Sequence, residues 1–133
     1  MMSERHGTRR KYLIDTSALY PILISGVAFN AEECAVSILT EYEVGNVLWR
    51  ENQQEKLKDP KRIATIFSDV IGPLKKMQID SLANVLAIAI ERHLTFYDAS
   101  YAYIAEKENL RLVTQDKDLL KKCKVAISIK EMQ

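Results

Sequence analysis

The sequence predicts an α/β protein, a three-layer α/β/α sandwich around a central parallel sheet of four to five short strands. Short apolar runs of strand length alternate along the chain with longer segments of helical periodicity. The strand-like runs are apolar at successive residues, which is typical of parallel strands that are buried on both faces. With 133 residues, 47% of them hydrophobic and 28% charged, the chain is long enough to bury the core of one globular domain.

The first half of the chain is predicted to begin with a strand and to continue mainly as helices. Tyr12 to Ile14 is an apolar run that ends at Asp15, as expected for a buried strand. The acidic residue and the Thr-Ser pair after it can cap a helix from about Ser17 to Ile24. The other elements predicted in this half are a strand over Cys34 to Ser37 and helices over Ile38 to Gln53 and over Pro60 or Lys61 to Ile71.

The second half is predicted to alternate more regularly between strands and helices. Ser81 suits the N-cap of an apolar helix over Leu82 to Arg92. Asp98 is predicted to open the next helix, which ends near Glu108 because Asn109 suits the left-handed position after a helix. The remaining predicted elements are strands over Met77 to Asp80, Arg111 to Thr114 and Val125 to Ile129, and a short helix over Asp116 to Lys122.

The chain is predicted to form a single domain over residues 11–133, preceded by a basic N-terminal extension, residues 1–10. Its 19 Lys and Arg against 18 Asp and Glu give a net charge of +1, which argues against nucleic-acid binding by bulk positive charge and leaves local patches possible. Cys34 and Cys123 show no metal-binding spacing and are predicted to be buried, reduced thiols. No apolar stretch approaches the roughly 20 residues of a membrane span, and a cytoplasmic location is expected.

Acidic residues near the ends of the predicted strands are the main candidates for chemistry. Asp15 directly follows the first strand, and Asp116 lies two residues beyond Thr114, so both carboxylates are expected at the rim where parallel sheets bind ligands. Asp98 adds a carboxylate at a helix start, and Glu43 lies on or beside an apolar helical stripe. Converging carboxylates repel one another unless cations neutralise them, so the set predicts a divalent metal site, and oxygen-only ligands favour Mg²⁺ or Mn²⁺ over zinc.

Each acid also has a purely structural explanation. Asp15, Asp98 and Asp116 are all suitable helix N-caps. Glu43 could pair with Arg50 on the same helix, and Glu41 competes with Glu43 for any role assigned to it. Tyrosines and a tryptophan at helical spacing are predicted to be core or interface residues; they are Tyr42, Trp49, Tyr101 and Tyr103.

Four segments, in the same order and spread over nearly the whole chain, share a recognisable pattern; they are Tyr12 to Ser17, Glu43 to Leu48, Tyr97 to Tyr101 and Leu112 to Asp116. In these segments the chain resembles the PIN-domain ribonucleases, particularly the small VapC-type toxins of prokaryotic toxin–antitoxin pairs. The resemblance implies a PIN-like fold. It favours Glu43 over Glu41, and Asp116 over Asp118, as members of the acidic set. Gly45, in the second segment, is predicted to mark a close helix contact.

The acidic set and the resemblance imply a Mg²⁺- or Mn²⁺-dependent endoribonuclease that hydrolyses RNA phosphodiester bonds. The catalytic, metal-holding residues would be Asp15, Glu43, Asp98 and Asp116. Thr16 and Thr114 would orient carboxylates or waters, and Arg50 and Lys117, in two basic stretches, would contact RNA. The resemblance also implies a homodimer and a small antitoxin whose tail occupies the acidic groove.

Two alternatives remain open. A PIN-like scaffold could bind RNA or a partner protein without cutting, since four acids do not prove turnover. A phosphoacceptor receiver domain is a weaker alternative, because it needs adjacent acids after its first strand, whereas Thr16 and Ser17 follow Asp15 here.

Overall fold

The computed structural model of the chain describes residues 10–133. Within this range a single sheet of five strands is hydrogen-bonded in the order β3-β2-β1-β4-β5, and every neighbouring pair is parallel. The strands are β1 (Tyr12–Ile14), β2 (Cys34–Ser37), β3 (Lys75–Met77), β4 (Arg111–Val113) and β5 (Ala126–Ile127). The first strand of the chain is thus the central one, and β4 is its neighbour on one side.

Helices connect the strands and cover both faces of the sheet. They are α1 (Thr16–Ser25), α2 (Thr40–Gln53), α3 (Pro60–Ile71), α4 (Leu82–Arg92), α5 (Phe96–Glu108), α6 (Lys117–Lys122) and α7 (Ile129–Met132), with a 3₁₀ turn at Ala31–Glu33 before β2. None of the helices within residues 10–133 combines the length and the apolar character needed to cross a bilayer.

Two buried clusters show the three layers. Leu13 belongs to a cluster with side chains of α4, α5 and α6, whereas Ile14 belongs to a second cluster with side chains of α1, α2 and α3. Neighbouring residues on one strand point to opposite faces of a sheet, so the continuous apolar runs supply both cores at once. The predicted α/β/α sandwich with a parallel sheet is therefore confirmed.

The bounds of several predicted elements differ from those in the structure. The strand predicted over Met77 to Asp80 lies earlier, at Lys75–Met77, because an exposed edge strand with lysines carries no apolar run to mark it. Helix α5 starts before Asp98, since the Thr95 side chain accepts a hydrogen bond from the Asp98 backbone N–H and caps the helix. The last strand stops at Ile127 because Ser128 starts α7 with a capping box.

Predictions for single residues have mixed outcomes. Cys34 and Cys123 are free and buried as predicted, and burial raises the pKa of each thiol to about 11. The prediction that Gly45 marks a close helix contact is wrong, because a Cβ atom there would meet nothing within 4 Å. The predicted N-terminal extension lies outside the described residues except for Arg10, whose guanidinium donates to the carbonyl oxygens of Ala31 and Cys34 at 2.8 and 3.1 Å.

Candidate active site

Asp15 lies at the end of the central strand, where its side chain also caps α1. Its Oδ1 accepts hydrogen bonds from the Ala18 N–H at 3.1 Å and from the Ser17 hydroxyl at 2.7 Å, and its Oδ2 accepts one from the Thr114 hydroxyl at 2.6 Å. The residue is only 5% exposed. Burial raises the pKa of this carboxyl group, and the three hydrogen bonds oppose that effect.

The segment that follows β4 is hydrogen-bonded to the start of α1, because β1 and β4 are neighbours in the sheet. The Gln115 N–H donates to the Ser17 hydroxyl at 2.9 Å, and the Asp116 N–H donates to the Thr114 hydroxyl at 3.0 Å. Asp116 then caps α6, since its Oδ1 accepts from the Leu119 N–H at 3.0 Å. Asp15 and Asp116, far apart in sequence, therefore lie at the same rim of the sheet.

Glu43 connects three helices. Its Oε1 accepts a hydrogen bond from the Thr16 hydroxyl of α1 at 2.7 Å and another from the Tyr101 hydroxyl of α5 at 2.9 Å. Burial, the Glu43 charge and this hydrogen bond raise the pKa of Tyr101 above its ordinary value, so the phenol remains a proton donor. Glu41, by contrast, is exposed and accepts a 3.4 Å hydrogen bond from Ser68 of α3. The fold thus separates the two glutamates that sequence reasoning had to choose between.

Asp98 is the third residue of α5 and is half-buried. Burial raises the pKa of its carboxyl group, and the negative charges of Asp116, Asp118 and Glu43 act in the same direction. The Thr95 hydrogen bond lowers it and only partly compensates. Asp98 therefore shares one electrostatic environment with carboxylates from two other helices.

The donor chemistry of this rim fits a hard divalent cation, because every candidate ligand is a carboxylate oxygen and the charges repel one another. Within residues 10–133, however, no three His, Cys, Asp or Glu side chains already form a group that could hold a metal ion. The residues therefore fit a divalent ion in donor type and in charge.

Sequence reasoning missed two residues of this site, Ser17 and Tyr101. Ser17 is not among the predicted site residues, yet its hydroxyl donates to Asp15 and lies 3.2 Å from the Thr114 hydroxyl. Tyr101 was assigned to the core or an interface, and it is buried, but its hydroxyl reaches Glu43. The available signal for Tyr101 was its position three residues after Asp98, on the same face of one helix.

The sequence profile of the PIN domain matches residues 12–125. The chain belongs to the PIN-domain family. The match begins at β1 and ends just before β5, so it includes all four acids of the rim. The resemblance inferred from the four sequence segments is thereby confirmed.

Named relatives of this PIN domain are VapC proteins of Pyrobaculum aerophilum. It is 41% identical over 124 residues to Exonuclease VapC9, a match that covers 92% of each chain. It is 29% identical over 124 residues to Ribonuclease VapC3, covering 84% of this chain and 94% of the relative. A solved crystal structure, that of PAE2754 from the same organism, superposes with a TM-score of 0.85 at 41% identity over 92% of this chain and 93% of the other.

Proposed function

We propose that this VapC-type PIN domain is a divalent-metal-dependent nuclease that hydrolyses RNA phosphodiester bonds as the toxin of a toxin–antitoxin pair. One observation carries the proposal: carboxylates from separate elements lie near one another at the carboxyl end of the central strands. In addition to burial, the charges of Asp116 and Glu43 accordingly raise the pKa of Asp98. Membership of the PIN-domain family and the names of the two relatives, one a ribonuclease and one an exonuclease, support a nuclease.

The proposed ligands of Mg²⁺ or Mn²⁺ are Asp15, Glu43, Asp98 and Asp116. A bound divalent ion lowers the pKa of an attacking water and stabilises negative charge on the phosphate. Thr114 orients Asp15 through its 2.6 Å hydrogen bond. Thr16 and Tyr101 both donate to Oε1 of Glu43, so Oε2 is the oxygen available to a cation.

Lys117 is proposed to contact the RNA backbone. It is exposed at the first position of α6, directly after Asp116. A cation beside the acidic rim offsets the repulsion between the carboxylates and an incoming phosphate. Arg50 is the second cation that we assign to RNA.

The decisive experiment is cleavage of a structured RNA by the purified chain with Mg²⁺, Mn²⁺ or EDTA. We expect cleavage with either ion, none in EDTA, and none by Asp98→Asn at any ion concentration. The matched control is Asp69→Asn, which removes an exposed acid on α3 and should cleave like the wild type. RNA binding without cleavage by the wild type would show the scaffold alternative instead.

The mode of cleavage needs a second substrate, because one relative is named an exonuclease. A circular RNA has no ends, so only an endonuclease converts it to a linear product. We expect linearisation, in agreement with the predicted endoribonuclease. Degradation of a linear RNA with an intact circular one would show an exonuclease.

A homodimer and a small antitoxin are the proposed partners. An apolar stripe on α4, formed by Leu82, Leu86 and Ile90 at four-residue spacing, supports a protein interface, since these side chains are 69%, 48% and 67% exposed. Sedimentation should show a dimer that Leu86→Glu dissociates. Ile24→Glu, at a 54% exposed position on α1, should leave the dimer intact. The antitoxin tail is proposed to occupy the acidic groove, with its basic side chains on the carboxylates.

A further inference from the structure

A cleft of about 490 Å³ lies between α1 and α2 and opens directly beside the acidic rim. Thr16 and Glu43, which are hydrogen-bonded to each other, line its inner end. Tyr20 and Pro21 of α1 and Asn46 and Arg50 of α2 are among the other residues that line it. The volume is in the range of pockets that hold small organic ligands. A ligand here would be continuous with any group bound at the carboxylates.

The cleft has opposite charges at its two ends. Glu43, Asn46 and Arg50 are separated by three and then four residues, so they follow one face of α2. The rise of an α-helix separates the Cα atoms of Glu43 and Arg50 by about 10 Å. One wall therefore runs from a carboxylate, through a carboxamide, to a guanidinium.

The polar groups of this wall are free to bind a ligand. Within residues 10–133, Arg50 has no ion pair and the Asn46 side chain has no hydrogen bond. The predicted alternative in which Glu43 pairs with Arg50 does not occur there, because Glu43 accepts from Thr16 and Tyr101 instead. The side chains of Asn46 and Arg50 are both exposed.

The facing wall also contains unsatisfied polar groups. Pro21 lies inside α1 and has no N–H, so the carbonyl of Ser17, four residues earlier, lacks its usual helical donor. The Tyr20 hydroxyl is buried and has no hydrogen-bond partner among the described residues. Buried polar groups in native proteins are nearly always paired, so the Tyr20 hydroxyl is a site for an ordered water at this wall.

We propose that this cleft is a nucleotide-binding subsite: it holds the nucleotide next to the scissile phosphate, Arg50 binds the phosphate that follows, and Asn46 hydrogen-bonds to the sugar or base. The inference rests on the proposed function, because the carboxylates define where the scissile phosphate lies. A guanidinium forms bidentate hydrogen bonds with phosphate, and a carboxamide both donates and accepts. The second phosphate belongs at the Arg50 end, because the other end adjoins the carboxylates where the scissile phosphate lies.

The test compares short RNA oligonucleotides with and without one extra phosphate beyond the nucleotide that would occupy the cleft. The comparison is made twice, with the extra phosphate on one side of the scissile bond and then on the other. Wild-type KM should be about tenfold lower for the oligonucleotide with the extra phosphate on one side. Arg50→Gln should remove this difference while changing kcat little. The slope of log KM against log salt concentration should also fall by about 0.7 in this variant. Asn46→Ala should raise KM for both oligonucleotides.

Arg62→Gln is the matched control, since it removes an exposed cation on α3 that does not line the cleft. It should keep the tenfold difference in KM. An Arg50→Gln protein that also keeps the difference would overturn the subsite.

Binding of the same oligonucleotides to Asp98→Asn protein, followed by fluorescence anisotropy, separates this inference from the proposed function. If the wild type cleaves no RNA, the proposed nuclease fails. In the Asp98→Asn background, weaker binding after Arg50→Gln with no effect of Arg62→Gln would still support the nucleotide subsite. Equal binding by the Asp98→Asn protein and by its Arg50→Gln and Arg62→Gln derivatives would overturn the subsite.

Discussion

The inner and outer halves of the acidic rim are built differently. Asp15 and Glu43, the inner pair, are held by hydroxyl and backbone donors from neighbouring elements. Asp98, in the first turn of α5, and Asp116, which caps α6, form the outer pair, and the pKa of Asp98 is raised by burial and by the charge of Asp116. The inner pair is positioned by the fold itself, whereas the outer pair retains a repulsion that a cation would relieve.

The difference follows from where each residue lies in the architecture. Asp15 ends the central strand, so side chains from two neighbouring segments can reach it. Asp98 lies in the first turn of α5 beside Thr95, and the Asp116 carboxylate accepts from the Leu119 N–H of α6, so within residues 10–133 both are stabilised locally and receive no donor from a neighbouring element. Mutations that remove hydrogen-bond donors should therefore lower stability or activity through the inner pair. Mutations that remove a negative charge should reduce the repulsion within the outer pair.

The largest effect is expected from Thr114→Val. The change keeps the shape of the side chain but removes the hydroxyl that donates to the buried Asp15 carboxylate. A buried charge that loses such a donor should lower the free energy of unfolding by about 2 kcal/mol, measured by urea denaturation. Thr65→Val is the control, because the Thr65 hydroxyl bonds only to the Lys61 carbonyl on an exposed helix surface. Equal losses in both variants would contradict the special role of Thr114.

A smaller effect is expected from Tyr101→Phe, which removes one of the two donors to Glu43. Because the other donor, Thr16, remains, we expect kcat to fall about tenfold, with weaker Mn²⁺ binding by calorimetry. Tyr103→Phe is a close control: it lies on the same helix and its hydroxyl also donates to a carboxylate, that of Asp80, which is exposed. If the two variants lose activity equally, Tyr101 does not position Glu43.

Protonation of Asp98, in the outer half of the rim, should stabilise the folded chain, whereas acid usually destabilises proteins. The folded pKa of Asp98 is raised above 3.8, so the folded chain holds this proton more tightly than the unfolded chain. In EDTA, its contribution to the free energy of unfolding should therefore rise as the pH falls through the raised pKa and be complete below 3.8. Glu106 acts in the opposite sense, because the Arg92 hydrogen bond lowers its pKa below 4.5 and its stabilisation is lost as pH falls through that lowered pKa.

Denaturation curves between a pH of about 7 and 3.8, the ordinary pKa of an aspartate, measure this effect. Asp98→Asn should reduce the gain in stability on acidification, whereas Asp69→Asn should not. Equal changes in stability in the wild type and in Asp98→Asn would mean that burial and the neighbouring charges do not raise the pKa of Asp98.

The smallest effect is expected from Gly45→Ala, on the side of α2 that adjoins α3. Gly45 lies inside α2, and a Cβ there meets nothing within 4 Å. Alanine should raise the free energy of unfolding by about 0.5 to 1 kcal/mol, since glycine is a poor helix former. Gly26→Ala should do the reverse, because Gly26 ends α1 with a φ of 72°. If Gly45→Ala lowered the free energy of unfolding instead, Gly45 would make the close helix contact that the sequence predicts.

Prediction from sequence succeeded where the signal is local. Leu13 and Ile14 belong to a continuous apolar run, and such runs identify strands buried on both faces. Ser81 caps α4 and Asn109 ends α5 in the left-handed conformation, as the chemistry of these residues predicts. The edge strand β3 was misplaced because Lys75 and Lys76 pair through their backbones and bury no apolar face.

The sequence by itself determined the fold class, the family and the identity of the candidate acids, because apolar runs, helix caps and residues after strand ends are local features. Only the tertiary structure decided how the acids are held and what adjoins them. The Tyr101 bond to Glu43 joins residues 58 positions apart, and the Thr114 bond to Asp15 joins residues 99 apart. Such contacts depend on strand order and helix packing, which no short stretch of sequence encodes, and the cleft from Glu43 to Arg50 exists only because two helices lie side by side.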